Sequence, residues 1–504
     1  MKAIQNTGPF APCPAPFNLA AHVLGQAERV ADKDALVQIS DTGNTSLTYD
    51  ALRRSVLGIG TGLSERGMEP GDRVLMRLGN TVDFPLAYLG AIAVGIVPVP
   101  TSSALTETEV AAIAAQIKPK LTLRDPDVAC PETLPSISPA ELDQMKRAPA
   151  ASYDMGDPNR LAYMIYTSGT SGRPRAVMHA HRAIWARRMM IDDWYGLDPA
   201  DRMLHAGAFN WTYTLGTGLM DPWTVGATAL IPAPRTPPEA LLRMLADHRA
   251  TIFAAAPGVY RQMLRYPVPG LPDLRHGLSA GEKLPHVTEA AWQDATQTPI
   301  FEAYGMSECS TFISGNPAHP APAGTLGRPQ RGRHIAILTE GAPAETGQPG
   351  IIAVHRSDPG LMLGYLDQPE ETASRLRGDW FLTGDQGEMD AGGHIRFLGR
   401  ADDMMNAGGF RVSPLEVEAA MAAFPGISAI GVTDVPVSAD ATIIAAFYVS
   451  EDSLSECELQ AFAADRLARY KQPRAYVQIP DLPKGANGKI LRRKLRDYWK
   501  ASHD

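Results

Sequence analysis

Tyr166-Thr-Ser-Gly-Thr-Ser-Gly-Arg-Pro-Arg175 follows directly on the apolar run Leu161-Ala-Tyr-Met-Ile165. The run reads as a buried strand. The stretch after it brings hydroxyls on Thr167, Ser168, Thr170 and Ser171. Gly169 and Gly172 let the backbone turn and come close to a ligand. Two arginines flank a proline at its end. Backbone N–H groups, hydroxyls and fixed positive charge together suit a polyphosphate. The stretch is not a Walker A motif, because no Gly-Lys-Ser/Thr follows at the required spacing. Ser/Thr/Gly clusters also make ordinary surface loops, so on its own the stretch supports either reading.

The surrounding chain has 504 residues, too many for one core. Length alone suggests about three domain-sized units. With 44% hydrophobic residues, burial is not limiting. A formal net charge of −8 argues against a nucleic-acid surface, which needs clustered positive charge. Cys13, Cys130, Cys309 and Cys457 form no CxxC pair and no Cys/His metal spacing. They predict free thiols in a reducing, cytoplasmic setting. The first ten residues lack the apolar core of a signal peptide. The longest apolar stretch, Phe84 to Pro100, is interrupted by glycines and prolines. It predicts a helix and then a strand, with no membrane span.

Outward from the loop, helical patterns alternate with short apolar runs: Arg73–Arg77, Ile96–Val99, Ala227–Ile231 and Ala250–Ala254, the last after a helical stretch from Pro238 to His248. That alternation predicts α/β layering. Lys146–Pro158 is mostly small or polar and reads as a linker. Beyond Gly399-Arg-Ala-Asp-Asp403 the pattern changes. Ser413-Pro-Leu-Glu416 has the form of a capping box with proline at the first helical position. Val417, Ala420, Met421 and Phe424 continue it as an amphipathic helix. Strand-like runs follow at Ile427–Val432 and Ile443–Val449, and a second helix starts near Ser455. These elements predict a separate C-terminal domain.

Several short segments could carry chemistry. In Phe301-Glu-Ala-Tyr-Gly-Met-Ser-Glu308, Tyr304 could stack on a purine and Glu308 could hold Mg²⁺, a hard cation that prefers carboxylate oxygen. An ordinary strand exit would look the same. Ser279-Ala-Gly-Glu-Lys283 could line a cleft or be a solvated turn. Trp380-Phe-Leu-Thr-Gly-Asp385 sets an acid after a Thr-Gly turn, where it could accept from both hydroxyls of a ribose or simply shape the turn. Pro483-Lys-Gly-Ala-Asn-Gly-Lys489 is a glycine-bearing loop whose lysine could enter a site when needed. The basic run Ile490–Arg496 behind it is of the kind that usually forms a solvated face.

In conjunction and in this order, these motifs, with Gly-Arg-Ala-Asp-Asp403 and Gly-Gly-Phe-Arg411, resemble the adenylate-forming superfamily of acyl-CoA synthetases, peptide-synthetase adenylation domains and luciferases. The resemblance runs from about Phe17 to Leu495. It implies an α/β protein: a large multi-layered N-terminal domain over residues 1–400 for ATP and a carboxylate, and a small, mobile α+β domain over 401–504. By similarity, Thr167, Ser168, Gly169, Thr170, Ser171, Gly172 and Arg175 would hold the β- and γ-phosphates. Tyr304 would stack on adenine, with Gly281 and Glu282 beside it. Ser307 and Glu308 would contact phosphate and Mg²⁺. Asp385 and Arg400 would hold the ribose. Asp402 matches the hinge, Lys489 the adenylation lysine, and Gly409 and Arg411 the positions facing adenylate and the CoA arm.

The residue types suit that chemistry. A carboxylate is a poor acyl donor, because its leaving group would be oxide. Attack on the α-phosphate of ATP gives an acyl-adenylate and pyrophosphate, and AMP is then a good leaving group for a CoA thiol. The first step crowds negative charge, so cations and N–H donors supply most of the stabilisation. The resemblance also has departures. Arg175 and Ala176 stand where many members have Lys-Gly, so a planar fork replaces a point charge. Asn406 stands where many aryl-CoA ligases have Lys. Gly305 replaces the Trp that closes the acyl pocket of acetate-selective members, which argues for a larger acid. Phe209-Asn-Trp-Thr-Tyr-Thr-Leu-Gly216 is similar to medium-chain and benzoate-type ligases, with Trp211 at the gate, although core packing would also account for Trp211. The expected activity is an AMP-forming acyl-CoA ligase for a medium-chain or aromatic acid, with ATP, Mg²⁺ and CoA. A stand-alone adenylation enzyme loading a carrier-protein thiol is the alternative. The expected partners are small molecules, with no nucleic acid; the oligomeric state stays open, a homo-oligomer included.

Overall fold

The computed structural model describes the chain except residues 168–174, 402, 404, 408–409, 439–440, 468, 486–488 and 504. The chain divides into two compact units. One comprises Gln5–His334 and Val354–Phe381; the other comprises Met1–Ile4, Ile335–Ala353 and Leu382–Asp504.

In the larger unit, apolar runs too short for helices pair into sheets. Arg202–Ala206, Thr228–Pro232, Ile252–Ala255, His276–Ala280 and Ile300–Met306 lie parallel in the middle of a nine-stranded sheet. Strands buried on both faces read as continuous apolar runs, which is why these segments show no alternation. Phe253, Tyr260 and Trp292 pack on one face. Trp194, Tyr195, Ile252, Ala254, Leu278 and Phe301 pack on the other. A second, parallel sheet joins Arg73–Arg77 to Val97–Pro100 and Leu121–Arg124. The expected helix-then-strand after Phe84 is present as Asp83–Ala93 and Val97–Pro100. A third sheet pairs Leu161–Thr167 with Arg175–Ala180 antiparallel, and Gly364–Tyr365 joins its outer edge. The opening motif therefore connects two strands of one hairpin. Lys146–Pro158 is not a free linker. Its backbone is tied down by Ala151 N–H to Leu57 O at 3.2 Å and Asp154 N–H to Ala93 O at 2.7 Å.

In the smaller unit, the strands Ala429–Ser438 and Ala441–Val449 pair antiparallel, and Ala475–Gln478 joins them in parallel. The helices Pro414–Met421 and Glu456–Arg466 cover one face with Val417, Met421, Leu459 and Ala463. Leu495 and Trp499 of Arg492–His503 cover the other. The capping box at Ser413 does not form. The helix starts at Pro414 as expected, but the Ser413 hydroxyl donates to the Leu398 carbonyl instead of capping. The helix also stops at Met421, so Phe424 packs from beyond its end. The basic C-terminal run is only partly solvated. Arg492 Nη2 meets Glu418 Oε1 of the helix Pro414–Met421 at 2.6 Å, and Arg496 Nη2 meets Asp434 Oδ1 of the strand Ala429–Ser438 at 2.7 Å, which fastens the last helix to both.

Candidate active site

Thr167 ends its strand half-buried, with Arg175 directly across the hairpin. Ser168, Gly169, Thr170, Ser171 and Gly172 lie outside the described residues. Arg175 is buried at 8% exposure. Its Nη2 meets Glu371 Oε1 at 3.1 Å, and its guanidinium lies over the Tyr365 ring, 5.3 Å from the centroid. The Tyr365 hydroxyl donates to Glu308 Oε1 at 2.7 Å. The Met362 N–H donates to the Glu308 carbonyl at 2.8 Å. Glu308 is itself buried. A chain of contacts thus runs from the far end of the loop to the carboxylate expected to hold a metal.

Ser307 is held by its backbone. His179 Nε2 lies 2.8 Å from the Ser307 carbonyl, and the imidazole stacks on Tyr163. Burial pushes the His179 pKa down to about 4, so the ring is neutral at pH 7 and Nε2–H donates. Tyr304 ends the apolar part of Ile300–Met306, edge-on to Phe312 at 5.3 Å. The neighbouring strand stops at Ala280, level with Ala303, and Gly281 turns away with φ +95°.

The structure corrects the reading of Gly305. An ideal Cβ there would stand 2.2 Å from Ser310 O and 2.4 Å from Thr311 Cα. The returning strand fills that space, so Gly305 is a close backbone approach and not an opening. Ser310 in turn receives the Arg187 Nη1–H. Arg187 is buried, with Nε 3.0 Å from both Asp221 oxygens and Nη2 2.6 Å from Asp221 Oδ2. Asp221 follows the π-helix Tyr213–Met220, which begins just after the half-buried Trp211.

In the smaller unit, Asp385 and Arg400 face each other in register on Trp380–Met389 and Ile395–Arg400, with Nη1 3.0 Å from Oδ1. The Thr-Gly-Asp turn expected from sequence is instead the middle of a ten-residue strand. Lys489 is exposed, and its carbonyl accepts from Gly485 N–H at 2.9 Å. Asp402, Gly409 and the side chains of Asn406 and Arg411 lie outside the described residues. Sequence reading missed Tyr365 and Glu371. Their contacts with Glu308 and Arg175 cross long chain separations, and only the segment Gly364-Tyr365…Pro369-Glu-Glu371 could have signalled them.

Among the described residues no group of three or more His, Cys, Asp or Glu could cage a metal. Magnesium needs no such cage, since one or two carboxylates, substrate phosphates and waters suffice. Glu308, buried and with one oxygen fixed by Tyr365, is a donor of that kind, so the residues present fit Mg²⁺.

Parallel strands at the centre of a large sheet, a buried carboxylate fixed just beyond one of them and a second, smaller unit of strands and helices define a two-unit α/β protein. The chain belongs to the AMP-binding enzymes: that family's model matches residues 24–366, and the AMP-binding enzyme C-terminal domain matches 416–489. It is 31% identical to the 3-hydroxybenzoate–CoA ligase of Aromatoleum sp. (strain CIB), over 96% of this chain and 97% of the relative. It is 31% identical to the benzoate–CoA ligase of Thauera aromatica, over 98% of each. The solved benzoate CoA ligase from Burkholderia xenovorans LB400 superposes with a TM-score of 0.85 at 29% identity, covering 95% of this chain and 100% of that one. The family resemblance and the α/β fold read from the motifs both hold. No helix among the described residues is long and apolar enough to cross a membrane.

Proposed function

We propose that the protein is an AMP-forming acyl-CoA ligase for an aromatic or medium-chain carboxylic acid. It converts carboxylate and ATP to acyl-adenylate and pyrophosphate, then acyl-adenylate and CoA to acyl-CoA and AMP. The observation that carries this reading is the near end-to-end likeness to hydroxybenzoate and benzoate CoA ligases, in a chain that keeps Glu308, Asp385 and Lys489. Tyr304 stacks on adenine, with Gly281 and Glu282 at its edge. Residues 167–172 and Ser307 hold phosphate oxygens. Asp385 and Arg400, already paired, hold the ribose hydroxyls. Asp402 serves as the hinge ahead of the stretch that matches the C-terminal domain, residues 416–489. Gly409 and Arg411 face the adenylate and the CoA arm. Trp211 and the hairpin at Gly305 border the acyl pocket.

Glu308 would hold Mg²⁺, which when bound neutralises charge on the ATP phosphates. Arg175, committed to Glu371 and Tyr365, is in this reading a positioning residue for Glu308 and not a phosphate ligand. Lys489, a compact charge on a flexible stem, bridges the carboxylate and the α-phosphate as negative charge builds. No protein nucleophile is needed, because the adenylate itself carries the acyl group. Cytoplasmic residence belongs to the same proposal, supported by four unpaired thiols.

The test is a panel of short, medium-chain, branched and aromatic acids assayed for CoA-dependent AMP release. Aromatic or medium-chain acids should be turned over and acetate should not. Lys489→Ala should lose about 10²–10³-fold in adenylation with an unchanged melting temperature. Adenylation at the wild-type rate in that variant would sink the mechanism, and transfer only to a carrier protein would replace CoA as acceptor.

A further inference from the structure

Two buried polar side chains meet beside Gly207 with hydrogen-bonding atoms that no other described residue pairs. His205 lies near the end of Arg202–Ala206 and is 1% exposed, and neither of its ring nitrogens has a partner among the described residues. Thr214, also 1% exposed, sits in the π-helix Tyr213–Met220, and its Oγ1 has none. Both reach the same point. An ideal Cβ on Gly207 would stand 2.4 Å from Thr214 Oγ1 and 3.3 Å from His205 Nδ1, so only glycine permits the approach. An ideal Cβ on Gly218 would stand 2.6 Å from His205 Cβ, so glycine is needed there as well. Tyr213 lies edge-on to His205 at 4.7 Å, but its own hydroxyl donates to the Leu278 carbonyl at 3.1 Å. The loop that carries Gly207 on to Trp211 is clamped by Asn80, which donates to Gly207 O at 2.8 Å and accepts from Phe209 N–H at 3.0 Å.

A buried donor or acceptor without a partner costs about 1–3 kcal/mol. Phe and Val would fill the same volume at no such cost, so the polar atoms need a reason. Burial pushes the His205 pKa down to about 3, so the ring is neutral, with one nitrogen a donor and the other an acceptor. A hydroxyl, one donor with two acceptor lone pairs, complements a neutral imidazole beside a threonine. A charged group would require a counter-ion that neither side chain supplies. The surroundings are aromatic: Tyr213, edge-on to His205, stacks on Trp194 at 5.9 Å. Interruptions of α-helical winding of this kind recur at functional sites.

We infer that His205 and Thr214, beside Gly207, form a specificity niche that receives the hydroxyl of a hydroxylated aromatic acid. The inference rests on the acyl-CoA ligase reading and deepens it by naming the substrate class. A site built to bond a hydroxyl rejects the analogue lacking it far more strongly than an apolar pocket rejects a methylene, because the site's own polar groups are then left unpaired.

The experiment compares benzoate with 2-, 3- and 4-hydroxybenzoate on the full-length enzyme. It reads the ratio of kcat/KM for each hydroxylated acid to that for benzoate, and the same ratio in equilibrium dissociation constants measured without CoA. The wild type should favour one isomer by about tenfold or more. His205→Phe and Thr214→Val should each bring that ratio toward one, and Thr214→Ser should restore it. Where His205→Phe fails to fold, as read by its melting transition, the threonine pair decides. A flat wild-type panel, the result expected if a resident water satisfies the niche, would overturn the inference, as would an undiminished ratio in both variants. Failure of every acid to release AMP with CoA would instead overturn the ligase reading, and the binding ratios would still judge the niche.

Discussion

Gly305 shows how a single missing side chain can be demanded by the backbone. The strand from Ser310 returns so close that a β-carbon would overlap the Ser310 carbonyl. Gly305→Ala should therefore cost about 1–3 kcal/mol, as overpacked cores do, read as a lower urea midpoint with an unchanged m-value. Tyr365 tests the opposite kind of residue, one whose value lies in a single bond. Tyr365→Phe keeps the ring beneath Arg175 and deletes only the donor to Glu308. Partners that orient a metal-binding carboxylate typically matter 10- to 100-fold in metal affinity. The expected result is an Mg²⁺ half-saturation raised about tenfold with little change in stability. An unchanged Mg²⁺ dependence would show that the Tyr365 bond does not orient Glu308 for the metal.

Among elements, the strand Ile300–Met306 carries both a structural and a titrating burden. Glu302 accepts from Leu284 N–H at 2.8 Å, and burial raises its pKa to about 7. The folded protein therefore keeps a proton that the unfolded chain releases near the ordinary value of 4.5. Between those values the native state binds more protons, so this residue's contribution is greatest at low pH, falls as pH rises toward 7 and is flat above. Glu302→Gln should flatten that slope and raise the melting temperature at pH 8 relative to wild type. The π-helix is anchored differently. Removing Asp221 would strand the Arg187 charge in the core, and Asp221→Ala should cost about 3–5 kcal/mol.

The same elements show what could be read from sequence. Apolar runs such as Arg73–Arg77 gave strands with their bounds nearly intact, because buried parallel strands carry local composition signals. The capping box at Ser413 and the turn at Thr383–Asp385 did not survive, because Leu398 and Arg400, distant or across a hairpin, competed for those groups. Glu308 and Lys489 stood out through motif order. Tyr365, Glu371, His205 and Thr214 did not, since their meaning lies in contacts and vacant bonds that no short window of sequence contains.

At the scale of the molecule, the residues proposed for the chemistry fall in both units. Glu308, Tyr304 and the loop after Thr167 belong to the larger one, and Asp385, Arg400, Lys489 and Arg411 to the smaller. The two half-reactions make different demands. Adenylation brings a carboxylate against a polyphosphate, and a cation between them offsets the repulsion. Thioester formation starts from an adenylate whose carboxyl charge is already gone, so the same cation has less to stabilise. Lys489 and Arg411 should therefore separate cleanly in kinetics. Lys489→Ala should slow pyrophosphate release from ATP by about 10²–10³-fold while keeping most of the rate of CoA attack on an acyl-adenylate supplied ready-made. Arg411→Ala should do the reverse, retaining ATP–pyrophosphate exchange and losing acyl-CoA formation. Single-turnover assays of each half-reaction read both. Equal damage to both steps in both variants would mean that the division of labour between Lys489 and Arg411 is absent.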